Sequence, residues 1–205
     1  HDLAIRGAGN LLGEEQYGNI KEVGYELYQQ MLEEAVASLK SGGDAVEESR
    51  WSPQITIGTA VMIPESYVAD LQLRLGLYKR LSDLEDQPAI NGFAAEMIDR
   101  FGPLPQEVKH LLELVAIKNL CRQANVAKVE VGPKGALIGF RDNAFANPAG
   151  LLRWIAEQKS EARVRPDQTL VLIRDWGDVG GRLKGIAGIL AKLASLAGEA
   201  EKAAA

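Results

Sequence analysis

The 205 residues contain a single cysteine and only two histidines. One cysteine, Cys121, excludes an internal disulfide and any multi-cysteine metal site. It sits in an apolar helical run, where a thiol acts as a small buried hydrophobe rather than a nucleophile. His1 and His110 are too few to build a histidine cluster. No stretch approaches the roughly 18 apolar residues that a membrane span requires, and no signal peptide is visible. No membrane and a reducing, cytoplasmic setting are the expectations. The sequence has no GxxxxGK[ST] loop to cradle a triphosphate, and neither a GxSxG elbow nor an HExxH zinc pair. No catalytic or metal site is expected.

Excess positive charge is also missing. The net charge is −5. Residues 1–50 hold four basic and ten acidic residues, a net −6, and residues 51–205 hold 19 basic and 18 acidic, a net +1. Affinity for nucleic acid comes largely from neutralised phosphates. A stand-alone nucleic-acid-binding module therefore remains the weaker alternative here.

What is present is an ordinary globular balance, 46% hydrophobic and 25% charged. The length suits one domain of about 150 residues with an appendage. The sequence opens HDLAIRGAGNLLG, without an initiator methionine and already inside a patterned segment. It reads as a piece of a longer protein, whose chemistry is expected elsewhere. RGAGNLLGEEQYG (6–18) carries four glycines and predicts an ordered loop. Its glycines follow no predicted strand, which makes it a poor dinucleotide fingerprint. From Lys21 the spacing of Tyr25, Tyr28, Leu32, Ala35 and Leu39 predicts a helix, ended by Ser41-Gly42-Gly43-Asp44. An acidic linker leads to a domain boundary near Arg50, so residues 1–50 and 51–205 are read as separate units.

In the second unit a strand is expected over Ser52–Ile63. Three helices follow: one after Pro64 carrying Tyr67, Leu71, Leu75, Tyr78 and Leu81, one from Gln87 to Arg100, and one over 105–124. The period then changes from 3.6 to 2. Val126–Val131, the turn Gly132-Pro133-Lys134-Gly135 and Ala136–Phe140 form a β-hairpin signature. A helix at Pro148–Gln158, a strand at Thr169–Arg174 and a helix from Val179 to Gly198 complete the order, with EKAAA frayed. The class is α+β, with a small antiparallel sheet.

Two constellations invite a functional reading beside a bland one. Arg6 and Gln16 flank Gly7, Gly9 and Gly13. Arginine on such a loop can fork two bonds to phosphate or carbonyl oxygens, or it can simply be solvated. Glu96, Asp99 and Arg100 fall on one side of their helix, with Phe93, Met97 and Phe101 on the other. That side is either a solvated face or a charged docking face.

HDLAIRGAGNLLGEEQYG resembles the DLxIRGxGxxLGxxQxG motif of RecG-type helicases and bacterial transcription-repair coupling factors, matching at Asp2, Leu3, Ile5, Arg6, Gly7, Gly9, Leu12, Gly13, Gln16 and Gly18. Tyr17 stands where the pattern usually has Ser. EVGYELYQQMLEEAV, YVADLQLRLGLYKRL and EMIDRFGPLPQEVKHLLEL resemble the coupling factors, whose C-terminal domain RecG-type helicases lack. The resemblance implies a parent that is a superfamily 2 translocase on double-stranded DNA. Such a parent uses ATP and Mg, releases stalled RNA polymerase and recruits the excision-repair protein UvrA. It also implies that residues 1–50 end the motor, with Arg6, Gly7, Gly9, Gly13 and Gln16 in a translocation motif. The remainder would be a regulatory domain that docks through Glu96, Asp99 and Arg100 on an N-terminal UvrB-like module and masks the UvrA-binding surface. This stretch itself would need no cofactor.

Overall fold

The computed structural model describes residues 51–58 and 61–205. The glycine-rich loop, the helix from Lys21 and the acidic linker expected within residues 1–50 lie outside the described residues, as do Thr59 and Ala60.

Among the described residues five α-helices and five strands alternate unevenly along the chain. Strand β1 (Gln54–Thr56) is followed by helices α1 (Leu71–Ser82), α2 (Gln87–Phe101) and α3 (Gln106–Gln123). The hairpin β2 (Val126–Gly132) and β3 (Gly135–Phe140) comes next, then α4 (Pro148–Glu157), β4 (Ala162–Val164), β5 (Leu170–Ile173) and α5 (Val179–Ala204). The helix starts are chemically marked. Asp70, Asp86, Asn147 and Asp178 each accept a bond from a backbone N–H three residues on, which supplies one of the partners a first turn lacks.

The strands form one sheet in the order β1-β2-β3-β5-β4. β2, β3, β5 and β4 pair antiparallel, the β2–β3 hairpin among them as expected, whereas β1 adds parallel to β2, with Ile55 opposite Val129. The sheet is therefore mixed. The long helical passage between β1 and β2 lets the chain return to the same end of the sheet, as a parallel pair requires. β1 is far shorter than the expected Ser52–Ile63 strand. The edge strand β4 has no counterpart in the sequence reading, because three residues are too few to show a period.

α3 and α5 pack on each other and against the sheet, while α1 and α2 cover α3. Val126, Val129, Val131, Ala136, Ile138, Leu170 and Leu172 meet Leu111, Ile117, Cys121, Ile186, Leu190 and Leu193 in one buried cluster. Each valine, leucine or isoleucine among them contributes about 1.5–3 kcal/mol by leaving water. Ile189, Leu193 and Leu196 hold α5 against this core, and the helix runs to Ala204 instead of ending at Gly198. Alanine, glutamate and lysine at its end are strong helix formers.

Candidate interdomain docking surface

α2 carries the charged positions. Its C-terminal end is fixed from below. The Tyr67 hydroxyl donates to the Gly102 carbonyl at 2.7 Å, with the Met97 carbonyl 3.1 Å away, and the Tyr67 ring meets the Phe101 ring edge-on at 5.8 Å. Gly102 takes a φ of +91°, which closes the helix and turns the chain into Pro103. Ile90, Phe93 and Met97 are buried. The opposite side of the helix is thereby committed to the surface.

The structure brings two of the three expected residues together. Glu96 Oε2 accepts from Arg80 Nη1 of α1 and lies 3.6 Å from Arg100 Nη1. Asp99 is exposed and makes no ion pair among the described residues. Arg80 lies over the Phe93 ring at 5.1 Å and Arg100 over the Phe101 ring at 4.9 Å, so each guanidinium is seated on an aromatic face. The hydrogen bond from Arg80 holds the Glu96 carboxyl below its ordinary range. The nearby positive charge of Arg80 and Arg100 adds to this, and desolvation opposes it. Ile98, on another side of the same helix, is 49% exposed, a large apolar side chain left in water.

Arg80 was not legible as a site residue. It lies sixteen residues before Glu96 on a different helix, and no linear spacing links the two. Arg6, Gly7, Gly9, Gly13 and Gln16 lie outside the described residues.

Elsewhere among the described residues the surface offers little chemistry. A shallow depression of about 200 Å³ on the outer side of the sheet is lined by Lys128, Glu130, Leu137, Gly139, Arg165 and Thr169. Its lysine is already paired with Glu130 at 3.0 Å. Among the described residues no group of three His, Cys, Asp or Glu could hold a metal ion. No helix among them is long and apolar enough to cross a membrane.

The family model for the TRCF domain matches residues 57–151. A transcription-repair-coupling factor of Rickettsia prowazekii is 43% identical over 178 residues, 87% of this chain and 16% of that protein. The protein of the same name from Escherichia coli is 33% identical over 186 residues, 90% of this chain and 16% of that protein. The chain thus spans about one sixth of the length of these curated relatives. A crystal structure of the C-terminal domain of a transcription-repair coupling factor superposes with a TM-score of 0.60 at 19% identity, over 73% of this chain and 98% of that one. That likeness establishes the fold. Over the stretch it spans, this chain belongs to the transcription-repair-coupling factor family.

Proposed function

We propose that residues 51–205 form a regulatory docking module of a transcription-repair coupling factor, and that residues 1–50 end its motor. In this reading the parent is an ATP-dependent translocase on double-stranded DNA. It releases stalled RNA polymerase and recruits UvrA for excision repair. The module folds back on the parent's N-terminal UvrB-like module, masks the UvrA-binding surface and keeps the motor quiet until polymerase is engaged. The 205 residues catalyse nothing themselves, and ATP and Mg belong to the rest of the parent. Arg6, Gly7, Gly9, Gly13 and Gln16 serve the motor, as a hinged loop that passes lobe closure to the DNA.

The observation that carries the docking reading is the exposed charged face of α2, where Glu96, Asp99 and Arg100 stand over a helix fixed by Tyr67. Exposed ion pairs contribute about 0–1 kcal/mol each. A few of them give orientation and specificity while leaving the contact reversible, and a clamp that must open requires that balance.

The test is calorimetry of the 205-residue chain with the parent's separately purified N-terminal module, at low and moderate salt. Salt-sensitive binding is expected, weakened about tenfold by Glu96→Ala/Asp99→Ala/Arg100→Ala together. Equal binding by both proteins keeps the clamp and removes these residues from it. No binding, with a salt-sensitive shift of duplex DNA instead, favours a nucleic-acid-binding module.

A further inference from the structure

The docking charges do not all come from α2. Among the described residues Glu96 is the only carboxylate bonded to Arg80, and both arginines approach the same oxygen, Oε2. Nothing among the described residues bonds to Oε1. The clamp on Oε2 is itself held. Arg80 lies on Phe93, a core residue only 3% exposed, and Arg100 lies on Phe101, whose ring is braced by Tyr67. A glutamate alone on an exposed helix samples several rotamers and must be ordered when a partner binds. A glutamate with one oxygen hydrogen-bonded to the seated Arg80 and 3.6 Å from Arg100 is restrained in advance.

On the docking reading above, we propose that Arg80 of α1 is a positioning residue of the docking surface. It holds Oε2 of Glu96 so that Oε1 is presented to the parent's N-terminal module in a fixed direction, one helical turn from the unpaired Asp99 carboxylate. The surface is then built by two helices, both packed on α3 and joined through Arg80. Arg80 has an indirect share in binding: its removal acts through Glu96.

The test uses the 205-residue chain with Arg80→Gln, Glu96→Gln and both together. Glutamine keeps a stem over Phe93 and removes the charge. Two measurements are made on each: the titration of the Glu96 carboxyl by carbon NMR, and calorimetric affinity for the separately purified N-terminal module. In Arg80→Gln the Glu96 midpoint should rise toward the ordinary glutamate value. Affinity should fall about three- to fivefold. In the Arg80→Gln background, Glu96→Gln should cost little more, because the two residues act as one unit. A merely structural Arg80 would lower thermal stability and give additive losses of affinity. Additive losses, or a Glu96 midpoint that does not move, overturn the proposal. If the unsubstituted chain binds and Arg80→Gln binds equally well, this inference alone falls. If the unsubstituted chain does not bind, the docking reading falls and takes the inference with it.

Discussion

The indole of Trp176 occupies the space in which a side chain on Gly185 would stand: a Cβ there would overlap the ring at Trp176 Cε2. The ring is thus seated against the backbone of α5. One turn earlier, Arg182 donates to the Trp176 carbonyl at 3.2 Å and to the Ile57 carbonyl at 3.1 Å. One glycine and one arginine on α5 therefore pin the loop after β5 and the chain leaving β1.

Gly185→Ala should lower unfolding stability by about 1–3 kcal/mol, because the indole must leave its seat. Gly188→Ala is the matched control. It lies on the same helix, is exposed, and a Cβ there meets nothing within 4 Å. Alanine is the better helix former, so stability should rise by about 0.5–1 kcal/mol. Urea unfolding of both variants gives the comparison, and two changes of the same sign would contradict it.

Tyr78 is 1% exposed, and its hydroxyl accepts from the Ile63 N–H at 2.6 Å. Tyr78→Phe keeps the ring and leaves that buried donor without its acceptor. The expected loss is about 1–3 kcal/mol, measured as a lower denaturation midpoint at unchanged slope.

Burial pushes the Cys121 thiol up to about 12, against a smaller opposing pull from Lys118 and Arg122. The thiolate is the reactive form. At neutral pH the folded chain should resist alkylation and react once denatured. Mass spectrometry after a timed iodoacetamide pulse reads the difference.

Glu96 and Asp167 are both held below their ordinary carboxyl values, Glu96 chiefly by the Arg80 hydrogen bond and Asp167 chiefly by the Thr169 N–H. A depressed folded-state value adds stability above the unfolded value, and the gain is lost as pH falls through the folded one. Stability should therefore be level above about pH 5 and decline below about pH 4. Arg80→Gln should flatten the Glu96 share of that decline in thermal melts recorded across this range.

Much of the fold was legible because its signals are local. The 3.6 period of Leu111, Leu112, Val115 and Leu120 marked α3, and Gly132-Pro133-Lys134-Gly135 between two alternating runs marked the hairpin. Glu96 and Arg100 were placed on one side of α2 by angle alone. Arg80 was not, because its partner lies on another helix. β4 was missed, since its three residues pair with β5 only after α4 has carried the chain across.

By itself the sequence determined the α+β class, the helices, the hairpin, the burial of Cys121 and the family, because periodicity, turn residues and motif spacing act over a few residues along the chain. Only the tertiary structure decided that β1 joins the sheet parallel, that Trp176 lies on Gly185, and that Arg80 reaches Glu96 while Asp99 stays unpaired. Those contacts join residues far apart in the chain and are set by how whole elements pack, which no short stretch of sequence encodes.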